Sequence, residues 1–104
     1  LQQVLVNLIG NALHAVEDQK HRDVSIFAKR RKGRVMVAVQ DTGPGVLSEH
    51  IDHIFEPFYT TKVTGVGIGL AIVKKIIKDH NGDIEVKKGA VAGVKFIIKL
   101  PLPA

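Results

Sequence analysis

The sequence contains no cysteine and no tryptophan, and aromatic residues make up only 5% of its 104 positions. Without cysteine the chain can form neither a disulfide framework nor a thiolate zinc site. Its apolar runs are only a few residues long, so no predicted helix could span a bilayer. No basic stretch leads into an apolar segment at the beginning, so no signal peptide is predicted. The shortage of aromatics argues against a stacking platform for single-stranded nucleic acid.

The composition that remains is typical of one domain in a reducing compartment. Apolar residues make up 45% and charged residues 24%, which is enough apolar material for a core. We therefore expect a single cytoplasmic domain over residues 1–104. The net charge of +5 favours anionic partners in general. Much of this excess lies in residues 29–34, where a solvated hairpin tip is the favoured explanation, and no nucleic-acid partner is expected.

Hydrophobic periodicity predicts the order helix, hairpin, glycine loop, short helix, glycine loop, helix, hairpin. The predicted segments are helices at 1–17 and 66–80, strands at 23–31, 35–41, 83–88 and 93–100, and a short helix capped by Ser48. Antiparallel strand pairs with helices gathered on one face make an α+β two-layer sandwich. Because the chain begins directly in a helix, we expect the domain to be truncated at its N-terminus.

The first predicted helix has a polar face made of Asn7, Asn11 and His14. Two asparagines one turn apart in an apolar helix are costly unless they have partners. A pair of surface amides would be the simplest explanation. The alternative is a ligand face, in which an amide oxygen contacts Mg²⁺ and His14 contacts phosphate.

Two glycine-rich loops offer close approach to a ligand, although each could be an ordinary turn. The first, residues 41–45, follows a strand directly and begins with Asp41, whose carboxylate could accept from an exocyclic amine. The second, residues 65–70, alternates glycine with apolar residues and leads into a helix, which is an anion-binding arrangement. Between them, two phenylalanines flank Pro57, and residues 60–62 add two hydroxyls and a cation that could pair with phosphate.

Taken in order, the patterns N-x3-N, D-x-G-x-G, F-x-P-F and G-x-G-x-G-L resemble the N, G1, F and G2 boxes of sensor histidine kinases. In those kinases the boxes build the catalytic ATP-binding domain, and the resemblance extends from residue 1 to residue 100. The F-x-P-F-x-T-T-K segment is similar to the nitrogen-regulatory and oxygen-sensing subgroup. The wider GHKL superfamily includes type II topoisomerase and mismatch-repair ATPases. The resemblance implies a Bergerat-type fold, a mixed, mostly antiparallel sheet under three helices.

The resemblance also implies roles for individual residues. Asn11 would coordinate the Mg²⁺ that bridges the phosphates, supported by Asn7 one turn earlier, and Asp41 would hydrogen-bond the adenine amino group. The segment between Phe58 and Gly65 would form a short lid over ATP. The full set of implied ATP-binding residues is Asn7, Asn11, His14, Ala15, Asp41, Gly43, Gly45, Thr61, Lys62, Gly65, Gly67, Gly69 and Leu70.

The implied reaction is transfer of the γ-phosphoryl group to a histidine on a separate helical dimerisation domain of a parent kinase, soluble or membrane-anchored. A response regulator would follow in the pathway. None of the five histidines here is followed by the acid and proline of the family's acceptor pattern, so we expect a monomeric chain that binds Mg·ATP without labelling itself. Asn7 stands where the related hydrolases have a water-activating Glu, and an amide cannot act as a general base.

Two departures from the family pattern predict weak nucleotide affinity. Val66 stands where the family often has Thr, and Val94 follows Gly93 where a hydroxyl residue is common. Each change could remove a hydrogen bond worth ~1 kcal/mol. The alternatives are therefore a degenerate ATP-binding scaffold, a GHKL ATPase or an anti-sigma-type protein kinase.

Overall fold

The computed structural model describes residues 2–18, 20, 22–45, 53–56, 69–88 and 93–101. Its elements are α1 (Gln2–Val16), β1 (Val24–Arg31), β2 (Arg34–Asp41), α2 (Gly69–Asp79), β3 (Asp83–Lys88) and β4 (Val94–Pro101). Both long helices and all four strands were predicted from the sequence within a few residues. Of the short helix predicted after Ser48, residues 53–55 are described and form a turn, in which the Glu56 amide donates to the His53 carbonyl at 2.9 Å. The earlier part of that helix, and positions 66–68 of the second long helix, lie outside the described residues.

The four strands form one sheet in the order β1-β2-β4-β3, and every pairing among them is antiparallel. The first hairpin closes where Arg31 faces Arg34 across a two-residue turn. Both turn residues, Lys32 and Gly33, have positive φ, at 50° and 75°. That backbone matches the right-handed twist of the strands, which explains why Lys-Gly at this point produces a tight hairpin.

The core lies between one face of the sheet and the two helices. Apolar residues of α1 and α2 at helical spacing meet alternate residues of β2 and β4, so the hydrophobic pattern of each element points to one common layer. The buried cluster consists of Val4, Leu8, Ala12, Val39, Ile54, Val73, Ile77, Val94, Phe96 and Ile98. This arrangement confirms the predicted α+β two-layer class. No helix within the described ranges is long and apolar enough to cross a membrane.

Helix α2 is ended by Asn81 and Gly82, as the Asn-Gly pair predicts, and the two residues contribute to this end in different ways. Asn81 adopts the left-handed conformation, with φ at 60°. Its amide donates to the Lys78 carbonyl at 3.0 Å, and the Gly82 amide donates to the Ile77 carbonyl at 2.9 Å. This pair of hydrogen bonds satisfies the last carbonyls of the helix. At Gly82 the requirement is space, because a Cβ there would lie 2.6 Å from the Lys99 carbonyl oxygen.

Candidate functional site

Asp41 ends β2 and is the one charged residue in the buried core of the described residues, with 6% of its surface exposed. Its Oδ1 accepts hydrogen bonds from the backbone amides of Gly43, at 2.9 Å, and Val94, at 3.4 Å. A buried carboxylate is costly unless it is hydrogen-bonded, and two backbone donors offset part of that cost. The same two bonds join the loop after β2 to the start of β4 and hold the carboxylate in one orientation.

The second carboxylate oxygen of Asp41, Oδ2, is available. Among the described residues no hydrogen bond reaches it, and no side-chain oxygen or nitrogen there is both buried and unpartnered, so Oδ2 reaches solvent. A fixed carboxylate oxygen that is partly accessible can accept a hydrogen bond from an incoming amine. The geometry therefore provides one directional acceptor at the end of β2.

Glycines enclose this carboxylate on two sides. Gly93 has φ at +74°, and a Cβ there would lie 2.5 Å from Asp41 Oδ1. Gly43 has an ordinary φ but packs on α1, where a Cβ would lie 2.8 Å from both the Cβ and the carbonyl oxygen of Ala15. Gly45, with φ at +82°, lies next to Gly93. Only residues without side chains allow the backbone at Gly43 and Gly93 to approach Ala15 and Asp41 so closely, whereas at Gly45 it is the positive φ that favours glycine.

Thr42, the residue after Asp41, forms hydrogen bonds with the backbone of Asp23. Its hydroxyl accepts from the Asp23 amide at 3.0 Å and donates to the Asp23 carbonyl at 3.4 Å, while its own amide donates to the same carbonyl at 3.1 Å. These bonds tie the loop that begins at Asp41 to the residue before β1. Thr42 therefore stabilises the backbone of the loop.

A stripe of three residues on α1 leads away from the Asp41 loop. Asn7, Asn11 and Ala15 follow one another at intervals of four residues, so they lie along one side of the helix and span ~12 Å. Ala15 touches Gly43, and at the other end Asn7 Nδ2 donates to the carbonyl oxygen of Gly69 at 3.4 Å. Asn11 lies between them and is half-buried. The structure thus connects the first residue of α2 to the end of β2 along this stripe.

The other sequence-predicted site residues fall into two groups. His14 is 49% exposed, beside the stripe, with Nδ1 at 3.9 Å from a Glu17 carboxylate oxygen. Leu70 is half-buried and packs against the core. Thr61, Lys62, Gly65 and Gly67 lie outside the described residues, as does the predicted lid.

The residue that sequence reasoning missed is Gly93. The sequence pattern marks it only as the neighbour of Val94, whereas the structure places it directly against Asp41. The available signal was a glycine immediately before a strand that alternates apolar and polar residues. Nothing in that local pattern indicates which distant side chain the glycine approaches, because residues 41 and 93 are adjacent only through the pairing of β2 with β4.

The amide groups on the stripe of α1 would suit a magnesium ion that is bound together with a nucleotide. No group of three or more His, Cys, Asp or Glu side chains within the described part of the chain could hold a metal by itself. Mg²⁺ accepts oxygen ligands and commonly takes one or two from the protein, with the rest from phosphates and water. An amide oxygen such as that of Asn11 is the type of ligand that Mg²⁺ accepts, so these residues would fit the ion as part of a metal–nucleotide complex.

Comparison with known proteins identifies the class of protein to which this chain belongs. The sequence matches the family described as histidine kinase-, DNA gyrase B- and HSP90-like ATPase over residues 1–104. It is 43% identical over 105 residues to the sensor histidine kinase ZraS of Salmonella typhimurium, covering 100% of this chain and 22% of ZraS. The catalytic domain of histidine kinase ThkA has a TM-score of 0.85 and 38% identity, with 96% of this chain and 64% of that one covered.

A further solved relative is full-length ShkA in complex with AMPPNP, with a TM-score of 0.79, 35% identity, and 96% of this chain and 21% of ShkA covered. The chain belongs to the histidine kinase-, DNA gyrase B- and HSP90-like ATPase family. Within that family it is an ATP-binding catalytic domain of the histidine kinase type, as the sequence resemblance implied. It spans about a fifth of the length of the curated relatives it matches, 16% of one and 22% of another.

Proposed function

We propose that this domain binds Mg·ATP along the stripe of Asn7, Asn11 and Ala15 and donates the γ-phosphoryl group to a histidine on a separate helical domain of a parent kinase. The observation that carries the proposal is the enclosed carboxylate of Asp41, with one oxygen held by backbone amides and the other open. The relative ShkA, solved with AMPPNP, supports a nucleotide as the ligand. The transfer would be one step of two-component signalling.

At the adenine end, Asp41 Oδ2 accepts from the exocyclic amino group of the base. Gly43, Gly45 and Gly93 let the backbone pack closely around this carboxylate, and so would shape the pocket for the base. A carboxylate oxygen selects a donor at this position and rejects a carbonyl group, because two acceptors facing each other leave both without a partner. The contact therefore favours adenine over a purine that has a carbonyl group at the same position.

At the phosphate end, the amide oxygen of Asn11 is the protein ligand of Mg²⁺, and the ion when bound neutralises phosphate charge. Asn7 holds the start of α2 through the Gly69 carbonyl, which orients the backbone amides of that helix end. His14 lies beside these residues at the surface. We include Thr61, Lys62, Gly65, Gly67 and Leu70 in the phosphate and lid contacts on the resemblance alone.

The chemistry is transfer to a protein acceptor, with hydrolysis disfavoured. Asn7 donates its amide hydrogen to Gly69 and has no basic group that could activate water. Phosphoryl transfer depends mostly on positioning and charge neutralisation, so the domain can function without a base of its own if the acceptor brings the nucleophile. A histidine on the parent kinase would be that acceptor, and a response regulator would receive the group next. We place the reaction in the cytoplasm, where ATP is present, with this chain as a monomeric domain.

Calorimetric titration with AMPPNP, with and without Mg²⁺, tests nucleotide binding. We expect Mg²⁺-dependent binding that Asp41→Ala abolishes and whose Mg²⁺ dependence Asn11→Ala removes. Matched controls are Asp79→Ala, a carboxylate paired with Lys75 on the exposed side of α2, and Gln3→Ala, an exposed amide on α1. Both should leave affinity within about twofold. Equal binding by wild type and Asp41→Ala would disprove the adenine contact.

Radiolabelled ATP tests the transfer step. We expect no label on the denatured chain alone, and label on a helical phosphoacceptor domain of the parent kinase when that domain is supplied in trans. Release of inorganic phosphate without an acceptor would instead indicate a hydrolase. Absence of any Mg²⁺-dependent nucleotide binding would leave a scaffold module as the better explanation.

A further inference from the structure

The sheet has a second face, turned away from α1 and α2, which we call the outer face. Val39, Phe96 and Ile98 belong to the core, and side chains alternate along a strand, so their neighbours in sequence point outward. The strand register arranges the outer residues in four cross-strand rows. The rows are Ser25–Gln40–Lys95–Lys87, Phe27–Ala38–Ile97–Glu85, Lys29–Met36–Lys99–Asp83 and Arg31–Arg34–Pro101.

The charge on this face is strongly positive. Six of its side chains are lysine or arginine and two are acidic. The whole chain has a formal charge of only +5, so most of its positive excess lies on one side of one sheet. The hairpin tip at Arg31 and Arg34, which alone could be a solvated turn, therefore adjoins the further cations Lys29 and Lys99 in the next row.

The two carboxylates of the outer face are already engaged. Glu85 accepts from Lys99 at 3.2 Å and lies 3.8 Å from Lys87, so two cations share one acid. Asp83 pairs at 2.8 Å with Lys78, which belongs to α2. Among the described residues no carboxylate lies within ion-pair distance of Lys29 or Arg31. These cations are available to an external anion.

The middle of the outer face is apolar. Ala38 is fully buried and Ile97 is 7% exposed, and Phe27 beside them is 45% exposed. The Lys95 ammonium lies 5.1 Å from the centre of the Phe27 ring, as a cation–π contact. Met36 continues the apolar strip in the next row and is half-buried. The row of Phe27, Ala38 and Ile97 therefore forms an apolar centre between rows that carry cations, and its exposed end is Phe27 on the edge strand β1.

We propose that the outer face is a docking surface for a second protein that presents acidic side chains around a small apolar contact to Phe27. An apolar centre with a charged rim is the usual anatomy of a protein–protein interface. Opposite charge on the partner's rim would accelerate its association and fix its orientation. The site is separate from the nucleotide stripe, which lies on the opposite side of the sheet.

The observations favour a protein over the other anionic partners. A single aromatic ring stands on the face, whereas single-stranded nucleic acid is normally bound by a series of stacking rings. The apolar residues are flush with the sheet and partly covered, so they offer little that could insert into a lipid layer. Three strands of eight residues and one of six, at ~3.3 Å per residue and ~4.8 Å between strands, make an area of at most about 26 by 14 Å. That suits a weak or transient interface, which buries less than about 1,200 Å² in total.

The test uses three probes on the isotope-labelled 104-residue chain. The first is a poly(Glu,Tyr) copolymer, which is acidic and carries apolar rings; the second is poly-Glu; the third is a vesicle of phosphatidylcholine with phosphatidylserine. We expect the copolymer to bind more tightly than poly-Glu and to shift the amide resonances of β1, β2 and β4 on the outer rows. Tighter binding of vesicles than of the copolymer, or shifts confined to α1 and α2, would overturn the proposal.

Two pairs of variants separate the face from net charge. Lys29→Glu with Arg34→Glu reverses two outer cations, and Lys74→Glu with Lys75→Glu makes the same change of charge on α2, on the other side of the sheet. We expect about a tenfold loss of copolymer affinity in the first and less than twofold in the second. Equal losses would mean that only net charge matters and would refute a defined surface.

Phe27→Ala tests the apolar centre. It should weaken binding of poly(Glu,Tyr) severalfold and leave poly-Glu binding unchanged, because only the copolymer can contact the ring. AMPPNP affinity should be the same in all these variants, which shows that the nucleotide site is intact and keeps the two proposals independent. An unchanged copolymer affinity in folded Phe27→Ala would disprove the contact to Phe27.

Discussion

The two ends of the stripe on α1 differ in how completely they are built. At the Asp41 end, main-chain segments meet so closely that neither Gly43 nor Gly93 could accept a Cβ without displacement. At the Asn7 end, a Cβ added to Gly69 would meet none of the described residues within 4 Å, and the hydrogen bond from Asn7 is a long one at 3.4 Å. Among the described residues, one end of the stripe is closed by the backbone and the other is open.

This difference suggests that the two ends of the proposed site have different tasks: the closed end recognises the base, and the open end adjusts to the phosphates. A rigid acceptor such as Asp41 Oδ2 binds without paying a further ordering cost, which favours selective contact with a flat base. Phosphates and their metal ion bring their own charge and oxygen atoms, so the open end can be completed by the ligand. We expect substitutions at the closed end to damage both folding and binding, and substitutions at the open end to affect binding more than folding.

The largest effect is expected for Gly93→Ala. The new Cβ would meet the carboxylate and main chain of Asp41, and alanine disfavours the positive φ, so unfolding free energy should fall by about 3 kcal/mol. Urea denaturation measures this change, and nucleotide affinity should be lost in parallel. Gly69→Ala is the control, because that position has open space; it should change stability by less than about 1 kcal/mol. Equal effects of the two substitutions would remove the distinction between closed and open ends.

Gly43→Ala should lower the free energy of unfolding by about 2 kcal/mol, because the added methyl group meets both the side chain and the carbonyl oxygen of Ala15. Combining it with Ala15→Gly removes one of the two collisions and should restore part of the loss. A double-mutant cycle by denaturation measures this coupling. Strict additivity of the two substitutions would show that the contact between α1 and the loop does not limit the site.

Asn7→Ala tests the open end of the stripe, where binding should be affected more than folding. The hydrogen bond it removes is long and partly exposed, so stability should fall by about 0.5 kcal/mol or less. Affinity for Mg·AMPPNP, measured by calorimetry, should fall about tenfold, since the start of α2 loses the amide that orients it. Gln3→Ala, one turn earlier on α1, is the matched control. A large loss of stability with unchanged affinity would reverse the assignment of this end.

The smallest effect is expected at Asp83, whose carboxylate is exposed, in contrast to the buried carboxylate of Asp41. The hydrogen bond from Lys78, with the lysine's charge, holds the pKa of Asp83 below its ordinary value. A carboxyl whose folded pKa is lowered contributes stability above its unfolded pKa and loses it as the pH falls through the folded pKa. NMR titration of Lys78→Ala should show the Asp83 pKa rising towards the ordinary value, with little change in stability at neutral pH because the pair is exposed. An unmoved pKa would exclude Lys78 as its main cause.

Local patterns predicted much of this fold. Alternation over the strands, the Lys32-Gly33 turn and the Asn81-Gly82 helix end all involve residues close in sequence, where backbone preferences act directly. Asp41 was also a candidate from its local pattern, an acid at a strand end before glycines, and its role as a site residue stays a prediction. The structure confirmed the strands, the turn and the helix end, and the family resemblance gave the class of ligand.

The sequence by itself determined the elements, their order and the residue types available for nucleotide chemistry, because periodicity and turn preferences depend on neighbours along the chain. Only the tertiary structure decided that Gly93 faces Asp41, that Gly43 lies on Ala15, and that the cations of three strands share one face. These relations arise from strand pairing and helix packing between residues far apart in sequence. No local pattern specifies such a partner, because the register that joins β2 to β4 is set by burial of the whole core.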